Sequence, residues 1–317
     1  MTRPTVSIIT PSLNREGFLR RVIDSVAGQT YRAVEHIVVD GGSSDGSVRL
    51  LREAASRRRL RWISEPDDGM YQAINKGMAM AGGEILAYLN SDDLYFPWSI
   101  ETAVAAFEAN PDVDIVYGDL AYADTRTGRG GLRLYAPFRL GYLVRSAFIG
   151  QPTTFWRMHV SRDLGGFDEQ FRFVADCDFW MRAARRFRLL KLDEILAVDG
   201  THGGTLRANN REALLAELRV VRRRNGAESG LRGLALRVAD LGYHGLHTQA
   251  AFLRFAWEWM RTRVLGRSPR RWKRFLNSST RISLPRLILC LVPDARRRLG
   301  FGVISLPLDE PPSEPVT

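Results

Sequence analysis

The chain has 317 residues, 45% of them hydrophobic and 26% charged, a balance that excludes a disordered or collagen-like chain and suits a globular one. Its two cysteines, Cys177 and Cys290, exclude a disulfide framework or a zinc-binding spacing and fit a reducing compartment. The net charge of +11 is unevenly placed: residues 1–218 hold 27 Lys/Arg against 28 Asp/Glu, and residues 219–317 hold 19 against 7. That asymmetry points to an anionic partner surface, membrane or nucleic acid. The apolar stretch before Pro11 is too short for a secretory signal, so none is expected. No run of ~18 apolar residues occurs, so no transmembrane helix is expected either.

In chain order, TVSIIT at 5–10 reads as a first strand rich in β-branched residues, ended by Pro11 and Ser12. Asn14 and Arg15 lie in the following loop, and Phe18, Leu19, Val22, Ile23 and Val26 give helical spacing over 16–27. Residues 35–40, EHIVVD, read as a second buried strand that stops at Asp40, before a Gly- and Ser-rich turn and a helix over 47–55. A short third strand at 60–64 runs into Glu65-Pro66-Asp67-Asp68-Gly69, then a helix at 70–80 and a fourth strand at 85–89. Strand and helix thus alternate three times, which predicts a doubly wound α/β sheet.

Three successive strands end in acidic loops: Asp40, then Asp67 and Asp68, then Asn90-Ser91-Asp92-Asp93. In open α/β sheets the ligand site lies past the carboxyl ends of the strands, so these loops are expected to meet. Adjacent carboxylates such as Asp92 and Asp93 repel unless a positive charge joins them, and a divalent cation on phosphate oxygens supplies it. A metal–nucleotide site is therefore expected at this edge.

Further on, the spacing predicts a helix over 97–109, a strand over 113–117, and short strands near 120–123 and 132–135. Residues 150–156, GQPTTFW, enter another strand, and Gly165-Gly166-Phe167-Asp168 forms a turn. A second acidic cluster, Asp176 and Asp178, opens a helix running to about 186, and two short strands are expected over 189–198. His202 and Arg207 fall in a Gly-rich loop before a helix starting near 209. The expected organisation is a catalytic domain over 1–226, a basic helical region over 227–300, and a Pro-rich acidic tail over 301–317 that reads as disordered. In the basic region Arg is interleaved with Trp and Phe. A peripheral membrane contact is preferred there to nucleic acid, which is not expected, and packing on the catalytic domain is the competing reading.

The ordered set VSIITPSLN, IVVDGGSSDGS, WISEPDDGMYQAINKGMAMAGGEILAYLNSDD, GQPTTFW, GGFDE and ADCDFWMR, over about 5–205, resembles the family 2 glycosyltransferases. These are inverting enzymes of the GT-A fold, a Rossmann-like, mostly parallel sheet with flanking helices. The version here is similar to bacterial enzymes of exopolysaccharide, O-antigen, colanic-acid-type and glycolipid assembly. The resemblance implies transfer of a sugar from a nucleotide diphosphate-sugar, UDP by default, to a hydroxyl of a glycan or lipid-linked acceptor. It implies action in the cytoplasm, peripherally at the inner face of the plasma membrane.

Residue by residue, the resemblance places Asp40 on the nucleotide base, lined also by Pro11, Ser12 and Asn14, with Asp67 and Asp68 continuing that wall. Lys76 is implied as a phosphate contact. Asp93 is implied as the ligand of Mg²⁺ or Mn²⁺, and Asp92 as contact to the ribose or the metal shell. His202 is a candidate late metal ligand and Arg207 a diphosphate contact. Gln151 is expected to line the donor sugar, and Trp156 and Trp180 to stack on sugar faces or fill the core. Asp176 matches the catalytic base, the acid usually preceded by Glu and here by Ala175, with Asp178 as the alternative base or else a substrate or nucleotide contact. Two rival classes are a sugar-nucleotidyltransferase and a non-catalytic binding protein of the same fold. The first is disfavoured by PSLNREG, which lacks the Gly cluster that holds a triphosphate. A dehydrogenase is excluded because GGSSDGS is not GxGxxG and follows the second strand.

Overall fold

The computed structural model describes residues 3–57, 60–124, 129–201, 210–227 and 230–265. Its strands form one mixed sheet in the order β3-β2-β1-β4-β8-β6-β9-β5, with β7 paired to β6. The first half is parallel: β1 (Val6–Ser12) lies between β2 (Val34–Asp40) and β4 (Ile85–Tyr88), and β3 (Leu60–Ser64) extends β2. β1, β2 and β4 are near-continuous apolar runs because helices cover both of their faces, while the edge strand β3 is only partly buried. The crossovers are α1 (Glu16–Ala27), α2 (Ser47–Arg57) and α3 (Met70–Met80). Leu19, Val22, Ile23 and Val26 form the buried stripe of α1. Each such side chain contributes roughly 1.5–3 kcal/mol when fully buried.

The second half departs from the mostly parallel expectation. β8 (Thr154–Arg157) runs antiparallel to both β4 and β6 (Ile115–Asp124), so its amino end faces the carboxyl end of β4. β9 (Leu189–Thr201) is a single strand parallel to β6, not two short ones, with a register irregularity at Asp119. The two-residue β5 (Leu94–Tyr95) and the hairpin strand β7 (Arg129–Arg133) complete the sheet. α4 (Ser99–Ala109) matches expectation closely, while the seven-residue helices α5 (Leu140–Ser146) and α6 (Met158–Leu164) were not legible in the sequence.

α7 (Ala175–Ala183) packs beneath an aromatic nest of Trp156, Phe167, Phe179 and Trp180, with Phe167 and Phe179 stacked at 4.5 Å and Trp156 edge-on to Trp180 at 5.4 Å. α8 (Arg211–Arg224) lies against α7. The long α9 (Gly230–Leu265) seats on α5, where Arg145 binds Asp240 through two hydrogen bonds of 2.5 and 2.8 Å. The expected basic region beyond 265 and the acidic tail lie outside the described residues.

Candidate active site

The register of the sheet sets the site. Ser12, Asp40 and Ser64 are cross-strand partners at one edge, and Leu89 N–H bonds the carbonyl of Ile9, which brings the end of β4 level with them. Pro11 and Ser12 close β1; the Ser12 hydroxyl is buried and has no hydrogen-bond partner. Asn14 takes a left-handed conformation, φ 51°, a backbone region Asn tolerates better than most residues. Its Oδ1 accepts from Ser44 N–H at 2.9 Å and its own N–H donates to Ser43 Oγ at 2.7 Å, clipping the first loop to the second.

Asp40 is fully buried. Its carboxylate accepts from Ser43 N–H at 2.8 Å, Ser43 Oγ at 2.5 Å and Ser64 Oγ at 2.7 Å. A carboxylate offers about four lone-pair sites, and three are taken here. A Cβ on Gly41 would stand 2.6 Å from Asp67 Oδ2, so glycine is what lets the third loop close over the second. Burial pushes the Asp67 carboxyl above its usual range, helped by the charges of Asp40 and Asp68, against the Gly69 N–H and Lys76. Asp68 pairs with Gln72, its Oδ2 accepting at 3.2 Å.

The Lys76 expectation changes. Its ammonium lies 2.8 Å from Glu65 and 3.3 Å from the Pro66 carbonyl, and the Glu65 bond raises its pKa. It neutralises the acidic loop, and two of its three donors are engaged there. Gln151 changes too: it is buried, its Nε2 donating to the Tyr88 carbonyl at 2.6 Å and its Oε1 accepting from Asn90 Nδ2 at 3.1 Å. With both ends of its amide engaged, it supports Asn90 and does not line a sugar.

Asn90 also donates to Asp93 Oδ2 at 3.1 Å, while Gly200 N–H donates to Asp93 Oδ1 at 3.2 Å. Any Cβ on Gly200 would overlap the Asp92 carbonyl, so this glycine at the end of β9 closes directly on the acidic pair. The sequence reading passed over Gly200, whose only signal was a glycine ending an apolar strand. Asn90 Oδ1 and the Tyr95 hydroxyl are buried without partners, and burial first, then the Asp93 charge, pushes the Tyr95 pKa up. Among the described residues no group of three or more His, Cys, Asp or Glu could hold a metal. A hard cation held by one or two carboxylates and completed by substrate phosphates and water needs no such group. Asp92 and Asp93, beside unmatched buried oxygens, fit it.

Asp176 sits in the first turn of α7, almost fully buried, where the helix dipole favours a negative charge. Its Oδ1 accepts from the Tyr71 hydroxyl at 3.2 Å and the Cys177 N–H at 2.9 Å. Tyr71, on α3 and stacked on Phe167 at 5.7 Å, is a site residue the sequence reading missed. Asp178 is not in the site. It is fully buried and accepts from Arg182 Nε at 2.6 Å and Asn225 Nδ2 at 3.4 Å, with Arg224 at 3.8 Å. Those partners tie α7 to α8, which removes Asp178 as base and as nucleotide contact. Trp156 and Trp180 are enclosed in the aromatic nest and stack on no sugar. His202 and Arg207 lie outside the described residues.

A mixed sheet with flanking helices and acid-ended strands at one edge is the architecture of the GT-A class of sugar-transferring domains. The sequence pattern described as Glycosyl transferase family 2 matches residues 7–186, and the chain belongs to that family. It is a glycosyltransferase, which sets aside the nucleotidyltransferase and non-catalytic readings. An uncharacterized glycosyltransferase of Mycobacterium tuberculosis is 36% identical over 184 residues, covering 57% of this chain and 69% of the relative. A PGL/p-HBAD biosynthesis glycosyltransferase of Mycobacterium bovis is 34% identical over 186 residues, covering 57% and 70%. Among solved structures, S. aureus TarS 1–349 in complex with UDP-GlcNAc superposes with a TM-score of 0.60 at 16% identity, covering 92% of this chain and 81% of that one. A mannosyltransferase from Pyrobaculum calidifontis, in complex with GDP-Man and Mn²⁺, gives 0.57 at 20% identity, covering 81% and 76%. These two likenesses concern the fold.

Proposed function

We propose that this glycosyltransferase moves a sugar, with inversion, from a nucleoside diphosphate-sugar to a hydroxyl of a glycan or lipid-linked acceptor. The observation that carries the reading is the edge itself: Ser12, Asp40 and Ser64 lie level across β1, β2 and β3, and the Asn90–Asp93 turn leaves the neighbouring β4. The unpartnered Ser12 and Asn90 oxygens there await a ligand or water. Pro11, Ser12, Asn14 and Asp40 would receive the base, and Asp67 and Asp68 the wall beyond it. Relatives of this fold solved with UDP-GlcNAc and with GDP-Man leave uridine and guanosine as the leading bases, uridine first.

Asp92 and Asp93 would hold Mg²⁺ or Mn²⁺, whose charge would offset that of the departing nucleoside diphosphate. Asn90 and Gly200 orient Asp93 for that purpose. Asp176 takes the acceptor's proton as attack proceeds, since a sugar hydroxyl is too weak an acid to lose it beforehand. Pinned at Oδ1 by Tyr71 and Cys177 N–H, its carboxylate needs no reorientation when the acceptor arrives. Attack from the face opposite the leaving group inverts the anomeric carbon. The place of action in this reading is the inner face of the plasma membrane.

The test is a thermal-shift panel of UDP, GDP and dTDP, with and without Mn²⁺. Binding to the folded state alone raises the melting temperature by mass action. A metal-dependent rise selective for one base is expected. No rise with any of the three contradicts the reading.

A further inference from the structure

We infer that the outward face of α9 between Leu231 and Leu253 is a lipid-contacting surface that lies in the headgroup region of an anionic bilayer. It deepens the place of action given above, yet needs neither the donor nor the acceptor to be right.

The inner face of α9 is fixed. Asp240 is held by Arg145, the Tyr243 hydroxyl donates to the Pro137 carbonyl at 3.2 Å, and Arg139 covers the Tyr243 ring at 3.9 Å. Tyr142 meets Tyr243 edge-on at 5.6 Å. With one side so held, the opposite side can only point away from the catalytic fold. There Leu231 (86% exposed), Leu234, Val238, Leu241 (72%), Leu246 (70%) and Leu253 stand open to solvent. At 3.6 residues per turn they fall within an arc of about 140°. No Asp, Glu, Lys or Arg falls on that arc between Leu231 and Leu253. Exposed Leu and Val scattered singly are ordinary; six on one helical stripe, about 33 Å long, are an interaction surface.

Charge selects the occupant. Arg232 and Arg237 are exposed and border the stripe on its two sides, while Asp240, the acid within it by sequence, is turned inward and paired. The whole stretch from residue 219 onward carries 19 Lys/Arg against 7 Asp/Glu. A second copy docked on the stripe would bring two such helices together, each with five arginines against two acids over 230–265. An anionic bilayer offers apolar depth to the leucines and negative headgroups to the arginines, the pattern of a helix lying in the interface plane. Among the described residues no helix is long and apolar enough to cross a membrane, which agrees with lying on the bilayer.

The experiment is co-sedimentation of the full chain with phosphatidylcholine vesicles containing or lacking phosphatidylglycerol, for the wild type and for Leu234→Glu/Leu241→Glu. Both positions are exposed, so helix content and melting temperature serve as folding controls. The wild type is expected to bind only the anionic vesicles, less at high salt, and the double variant to bind at least about tenfold more weakly. Nucleotide-induced thermal shifts stay unchanged, which keeps this test separate from that of the donor site. A folded double variant that binds vesicles as the wild type does overturns the inference. So does a wild type that ignores vesicles and forms a dimer which the two glutamates dissociate.

Discussion

The acids of the strand-end edge and those of the seam between α7 and α8 are the same residue type put to opposite uses. At the seam, Asp178 is closed in by Arg182, Asn225 and Arg224, and Asp168 accepts from Arg224 at 2.7 Å. Burial would raise the Asp168 carboxyl, but Arg224 and the Gln170 N–H hold it below its usual range. At the edge, Asp40 accepts from hydroxyls and a backbone N–H level with the Ser12 hydroxyl, which is buried without a partner, and Asp176 accepts from the Tyr71 hydroxyl and the Cys177 N–H. A guanidinium partner satisfies a carboxylate and makes it mortar. Hydroxyl and N–H donors orient it. The two acids of one helical turn, Asp176 and Asp178, fall on opposite sides of that divide.

The largest effect expected from this contrast is on turnover at the edge. Asp176→Asn keeps the acceptor oxygen for Tyr71 and Cys177 but cannot take a proton. Nucleoside diphosphate release in the presence of acceptor should fall about 10³-fold, ~4 kcal/mol of barrier, with the fold intact. Next is stability at the seam: Asp178→Asn leaves Arg182 facing a neutral group and should cost about 3 kcal/mol in urea melts.

A third effect comes from His36, buried on β2 with its Nε2 3.0 Å from Thr10 Oγ1, whose pKa burial lowers to about 3. The unfolded chain binds that proton near pH 6.5, so stability is full above 6.5 and drains as pH falls toward 3. By pH 5 up to about 2 kcal/mol is lost, and His36→Gln should flatten that limb. The smallest is Tyr71→Phe, which removes one hydrogen bond to Asp176 and should lower turnover by a few-fold, ~1 kcal/mol, without moving the urea midpoint much.

The parallel half of the sheet was legible because β1, β2 and β4 are largely buried and read as apolar runs, with helical spacing between them. Residues 60–64 and 70–80 emerged with the bounds expected. The mixed half was not, since direction depends on which strand a segment finds as neighbour, and β8 pairs with β4 and β6 across long sequence gaps. β5 has two residues and carries no period at all. At the site, the acid-ended strands announced the edge, but burial decided the details. Gln151 looks like a ligand contact in sequence and proves to be engaged by Tyr88 and Asn90, and Lys76 is paired with Glu65. Arg182, four residues after Asp178, was the legible sign that this acid had a helical partner. Likewise hidden was the pair of Asp119 and Lys191, 2.7 Å apart and buried where β6 and β9 slip register. Neither residue belongs to a motif.

One paired measurement bears most directly on the division of labour in α7: turnover and urea stability of Asp176→Asn and Asp178→Asn, side by side with the wild type. Turnover lost with stability kept is expected for Asp176→Asn, and stability lost for Asp178→Asn, with the fraction still folded turning over. An Asp176→Asn enzyme that works at the wild-type rate, beside a fully stable Asp178→Asn enzyme that does not work, would contradict it.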